Sequence, residues 1–166
     1  MPLLLSLPVL SLLVMLQSAV ISRVHLLHGT ADLVLLALAA WALQERVQTA
    51  WHWTVVGGLM IGVASALPFG AMLGGYLVIT ALALQLRRRV WKVPVLAMFA
   101  LIFIGTLLTH AISIGALLLR GVPLPLGESL NLVTLPSLLL NYLFALPMYI
   151  AMSDLANWLY PKEIEV

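Results

Sequence analysis

Residues 51–89 read WHWTVVGGLMIGVASALPFGAMLGGYLVITALALQLRRR, and the reading of that stretch decides the fold. Two apolar runs rich in small residues are joined by Leu67-Pro68-Phe69-Gly70, a link too short and too apolar for a loop in water. Pro68 lacks an N–H and clashes with the preceding turn, so it ends the first run, while Gly70 tolerates the backbone angles that reverse the chain. The stretch reads as a helical hairpin immersed in a membrane. Gly58 and Gly62, Gly62 and Ala66, and on the other arm Gly70 and Gly74, stand four apart. In lipid, where little hydrophobic force drives helices together, small residues at this spacing let backbones approach closely. The hairpin is expected to be the packing centre, with Gly58, Gly62, Pro68, Gly70 and Gly74 at its contacts.

Composition around the hairpin agrees with a membrane setting. The 166 residues are 63% hydrophobic and 8% charged, against about 25% charged in a soluble domain. That is an integral membrane protein, a single bundle with no separate soluble domain. Helices are expected over 2–22, 30–44, 51–67, 69–86, 94–119 and 132–152, with a polar tail over 153–166. The expected fold is thus an all-α polytopic bundle of six transmembrane helices. Thr30 or Asp32 suits the start of the second helix, where a side-chain oxygen accepts free backbone N–H groups. Trp51 and Trp53 suit the headgroup level. Residues 120–131 read as an ordered, non-helical link, and Pro147 as a kink in the sixth helix.

With six crossings, Arg46, Arg87, Arg88, Arg89, Lys92 and Lys162 fall on one side and only Arg23 and Arg120 on the other. The basic excess marks the cytoplasmic side, so both termini are expected there. The cluster Arg87, Arg88, Arg89 and Lys92 sets orientation and attracts anionic membrane lipid.

Chemistry is sparse. Cysteine is absent, which excludes disulfides, thiolate catalysis and cysteine-held metals. His25 and His28 lie three apart, but with Asp32 they fall short of a convincing ligand set. There is no lysine-bearing phosphate loop, no GxSxG, no HExxH, and no basic patch interleaved with aromatics. The expectation is no enzyme, no cofactor, no metal and no nucleic-acid partner. His110 is the one histidine inside a confident span, with Thr106, Thr109 and Ser113 near its face. Thr134, Ser137 and Asn141 form a matching stripe on the sixth helix, at a similar depth of about 13 Å. Hydrogen bonding between these helices is expected rather than a proton relay, because Asp32, Glu45, Glu128 and Asp154 all fall near span ends.

In order, these features resemble the MreD family of bacterial rod-shape-determining membrane proteins. The resemblance is carried by Ala31-Asp32-Leu33-Val34-Leu35-Leu36, by Gly57-Gly58-Leu59 to Gly62 with the Leu67-Pro68-Phe69-Gly70 turn, and by Leu135-Pro136-Ser137 with Asn141 and Leu146-Pro147. One departure is visible: where family members often carry an acidic residue, this chain reads Val63-Ala64-Ser65-Ala66. The resemblance implies a non-enzymatic scaffold of the cell-elongation machinery in the bacterial cytoplasmic membrane. Its implied partners are an MreC-like bitopic protein and the peptidoglycan synthases, and a homo-oligomer is compatible with it. It also implies a fold similar to the substrate-binding S-components of energy-coupling-factor vitamin transporters. Two alternatives follow: a small-molecule-binding transporter subunit, whose pocket of roughly 300 Å³ or more would be lined by His110, Ser137 and Asn141, and an accessory subunit of a respiratory or photosynthetic complex.

Overall fold

The computed structural model describes residues 2–19, 21–23, 26–65, 67–68, 70–89 and 94–161, the side chains of Pro2, Ser22 and Arg89 excepted. Among the described residues there are six helices and no strand. They are α1 (Pro2–Ala19), α2 (Leu33–Leu43), α3 (Ala50–Ala64), α4 (Ala71–Arg89), α5 (Pro94–Leu119) and α6 (Leu126–Leu159). A turn of 3₁₀ helix, Ile21–Arg23, follows α1, and α6 passes through a π turn at Leu130–Thr134.

The bundle is organised around α2, LVLLALAAWAL, and not around the hairpin. All eleven of its residues are buried, and the other five helices all pack on it. A helix that is apolar on every face is one enclosed on every side, and its four alanines give neighbours close approach. The glycines of the surrounding helices serve this contact: Gly57 of α3 faces Val34 and Leu38, and Gly105 of α5 faces Leu35 and Ile79.

The α3–α4 hairpin is present, with a different contact pattern from the one its glycine spacing suggests. A Cβ on Gly58 would lie 2.9 Å from Leu73 Cα, so here the two arms touch backbone to backbone. The Thr54 and Thr80 hydroxyls are hydrogen bonded across the same interface. Gly74, in contrast, is exposed with open space at its Cβ position, and its neighbour Gly75 packs against Ile112 of α5. Gly62 is half-buried, while Ala66 and Phe69 lie outside the described residues. Gly70 has φ +92°, in the region that favours glycine. The turn is held by Leu67 N–H donating to Ser65 Oγ (3.1 Å) and Ala71 N–H to the Pro68 carbonyl (3.0 Å). Two substitutions separate these roles: Gly70→Ala is expected to cost about 1 kcal/mol, whereas Gly74→Ala is neutral or stabilising by up to about 1 kcal/mol. Thermal unfolding of the purified variants checks both.

Other expectations shift for local reasons. Trp51 and Trp53 are two positions apart on a helix of 3.6 residues per turn, so they point to nearly opposite faces. Trp51 is exposed, but Trp53 is fully buried within the bundle and stacks on Trp41 at 4.3 Å. The last helix begins at Leu126, inside the expected link, and runs on to Leu159. The expected positions His25, Lys92, Lys162 and the last residues of the tail lie outside the described residues.

The bundle is apolar on its outside as well as in its core, and a minority of polar side chains is enclosed among the buried apolar ones. Thr54, Thr80, Thr106, Ser137 and Asn141 are buried, while Leu4 (73% exposed), Val63 (79%) and Leu143 (68%) stand on the outside. By length and composition α5 and α6 are each able to cross a membrane.

Candidate functional site

Eleven residues make α2 about 16 Å long, against about 39 Å for the 26-residue α5. Its N-terminus therefore ends within the bundle, where the first backbone N–H groups of a helix have no partner of their own. Each finds a side chain. Asp32 N–H donates to Asn141 Oδ1 (2.8 Å), and Leu33 N–H to Gln17 Oε1 (2.8 Å), which Val34 N–H shares at 3.4 Å. Leu35 N–H donates to Oδ1 of the N-cap Asp32 (2.9 Å), whose Oδ2 accepts from the Tyr76 hydroxyl (2.8 Å). Asn141 completes the link by donating from Nδ2 to Thr106 Oγ1 (2.8 Å). One asparagine thus joins α2, α5 and α6.

The segment before α2 lies across the start of α6. Pro136 has no N–H to give the Leu132 carbonyl four residues back, and that carbonyl accepts the His28 N–H instead (3.0 Å). Thr30 N–H donates to Ser137 Oγ (3.0 Å). Between them Gly29 touches α6 directly: a Cβ there would be 2.5 Å from Ser137 N and 2.7 Å from Pro136 Cβ. The π turn just before Pro136 sets Thr134 Oγ1 3.1 Å from His110 Nδ1.

Above the α2 N-terminus opens a cavity of about 450 Å³, walled by side chains of α1, α3, α4, α5 and α6. Gln17, Asp32, Tyr76, His110 and Asn141 supply its polar groups, and Val14, Ile61, Met72, Ile114 and Leu117 much of its apolar wall. Among the described residues no lysine or arginine lines it. The cavity can hold and orient a small molecule. Among the described residues no group of three or more His, Cys, Asp or Glu is placed to hold a metal.

The structure brings together most of the polar residues singled out in the sequence. His110 lines the cavity and Asn141 lies at its base, while Ser137 is buried in its bond to Thr30 and stays out of the wall. One expectation is corrected: a carboxylate does accompany the histidine, since Asp32 lines the same cavity. Asp32 is at a helix end, but that end faces the cavity. Gln17 and Tyr76 were not anticipated as site residues. A lone amide in the apolar run of α1 was the visible sign of the first; nothing in the sequence singled out the second.

At the opposite end, the first arginine of the basic cluster is engaged within the protein. Arg87 Nη1 donates to the carbonyls of Gln44 (2.8 Å) and Val47 (2.9 Å). A cation there satisfies carbonyls beyond the α2 C-terminus and complements the helix dipole. Arg46 similarly donates to the Tyr160 carbonyl (3.1 Å). Arg88 is exposed, and the Arg89 side chain and Lys92 lie outside the described residues. Arg87→Ala is expected to cost about 2 kcal/mol, as charged hydrogen bonds to half-buried acceptors do, while Arg88→Ala changes stability by no more than about 0.5 kcal/mol. Denaturant titration of the two variants makes the comparison.

Comparisons of the chain with protein-family models, with curated proteins and with solved structures give no match.

Proposed function

We propose that this chain is a multi-pass membrane scaffold of the MreD type, acting in the bacterial machinery that elongates the cell wall. One observation carries the reading. The sequence blocks that bear the resemblance, residues 31–36 and residues 135–141, lie about a hundred positions apart and meet within the bundle through Asp32 N–H on Asn141, with the N–H of Thr30, just before the first block, on Ser137. Residues shared with a family for the sake of architecture belong where helices are joined, and these do so without assembling a nucleophile and base.

Six crossings of the bacterial cytoplasmic membrane, with both ends cytoplasmic, belong to the same proposal. The apolar outer surface of the bundle supports it, as do two helices of spanning length. The Lys and Arg asymmetry between alternate links supports the orientation. A scaffold of this kind engages an MreC-like bitopic protein and the synthases of lateral peptidoglycan through its apolar outer surface and its basic cytoplasmic links. Purification from native membranes tests the reading: co-isolation of such a partner is the expected result, and repeated isolation alone or with an unrelated complex overturns it. Depletion in the native bacterium is expected to turn rods into spheres.

The cavity favours a second reading, a small-molecule-binding subunit of a membrane transporter. Its volume of about 450 Å³ and its convergent polar groups fall within the range of ligand sites. Uptake assays with the disrupted strain distinguish the two, since a transport subunit is expected to alter accumulation of a solute while leaving cell shape unchanged.

A further inference from the structure

We propose that the cavity above α2 is a binding site for a small amphipathic amine, with its protonated nitrogen at Asp32 and an apolar body against the walls. The proposal stands whether the chain serves as a scaffold or as a transport subunit, because it rests on the cavity alone. Size is the first argument: about 450 Å³ suits a compact organic molecule, given that ligand sites run from about 300 to 1,000 Å³.

Charge is the second argument. A helix N-terminus pointing into a cavity would ordinarily attract an anion through its free N–H groups and its dipole. Here those N–H groups are already taken by Asn141, Gln17 and Asp32, and Asp32 offsets the dipole with a negative charge. Among the described residues no lysine or arginine lines the cavity to restore a positive field. A carboxylate or phosphate would meet the Asp32 charge with, among the described residues, no lysine or arginine beside it to offset the repulsion. An ammonium group meets the opposite situation.

Geometry is the third. Asp32 is half-buried and fixed from two sides, by Leu35 N–H on Oδ1 and Tyr76 OH on Oδ2. A carboxylate has about four acceptor sites, so lone pairs remain for a ligand after these bonds form. On the same cavity wall, His110 uses Nδ1 toward Thr134, which leaves Nε2 for a second polar contact. Between these groups the apolar side chains Ile61, Met72, Ile114 and Leu117 provide a surface for hydrocarbon.

The test uses the full chain purified in detergent, with thermal unfolding followed by tryptophan fluorescence. Benzylammonium, benzyl alcohol and benzoate serve as probes of one shape and three charges. Asp32→Asn keeps an N-cap oxygen, because asparagine caps as well as aspartate, and removes the charge. Ser113→Phe fills the cavity without touching the α2 cap. Benzylammonium is expected to raise the unfolding temperature of the wild type by about 5 °C or more near a hundredfold excess over its Kd, benzyl alcohol less, and benzoate not at all. Loss of the benzylammonium shift in each variant that folds supports the proposal, and a shift that persists in Asp32→Asn overturns the placement of the nitrogen at Asp32. An equal shift with benzoate, a benzylammonium shift that persists in Ser113→Phe, or no shift with benzylammonium overturns the proposal.

Discussion

Replacing Gly29 by alanine is expected to lower the stability of the purified protein by about 3 kcal/mol or more, a large effect for one methyl group. The added Cβ would sit 2.5 Å from Ser137 N and 2.8 Å from the Pro136 carbonyl carbon. Both are backbone atoms in the first turns of α6, so no side chain can swing aside to relieve the contact. The segment over residues 28–32 must lift away from α6, at the usual overpacking cost of about 1–3 kcal/mol. Lifting it also stretches three hydrogen bonds: His28 N–H to the Leu132 carbonyl, Thr30 N–H to Ser137 and Asp32 N–H to Asn141. The Leu132 carbonyl has no alternative donor at position 136, and leaving this half-buried group unmet adds about 1 kcal/mol. Denaturant unfolding in detergent measures the sum. A change below about 1 kcal/mol would show that the segment does not rest on α6 as described.

Asn141→Leu is expected to cost about 3 kcal/mol although the branched shape of the side chain is kept. Asn141 is buried and serves two partners at once, accepting from Asp32 N–H and donating to Thr106 Oγ1, each at 2.8 Å. Leucine meets neither group, and each then bears its own desolvation cost in a setting where unpaired polar groups are expensive. Ser137→Ala offers the comparison. It removes one acceptor from Thr30 N–H, and Thr30 is exposed, so water takes over and the cost stays near 1 kcal/mol. The same unfolding measurement on both variants checks the ratio; equal losses would contradict the central role given to Asn141.

The all-helical class and the six helices could be read from the sequence because each depends on local facts: apolar runs, Pro68 and Gly70 at a turn, Pro94 opening a long helix. The polar stripes of α5 and α6 were legible too, since helical spacing places Thr106 and His110 on one face and Thr134 and Asn141 on another, and the structure joins them. The packing centre was harder to see. Four-residue glycine spacing marks a surface able to approach a neighbour, but it does not say which neighbour: in the hairpin Gly57 faces α2 and Gly75 faces α5, while Gly58 meets the opposite arm. The height of α2 was likewise hidden. Its apolar run looks long enough to begin at residue 30; of the two start residues read from the sequence, Thr30 and Asp32, it is Asp32 that caps it, and hydrogen bonds from residues 28, 30 and 32 hold the preceding chain against α6. That tertiary choice creates the cavity and puts Asp32 beside Tyr76.

The cap on α2 has a consequence for biosynthesis. Asp32 and Asn141 are 109 residues apart, and at about 5–20 residues per second roughly 5–20 s of translation separate them. Throughout that interval the amide destined for Asn141 has no acceptor, and a nascent chain holding α1 to α5 carries an unfinished core. Completion of the last helix is thus the event that licenses the molecule to close. A ribosome stalled before residue 126 would leave a product that membrane proteases can distinguish from the finished one by its persistent openness.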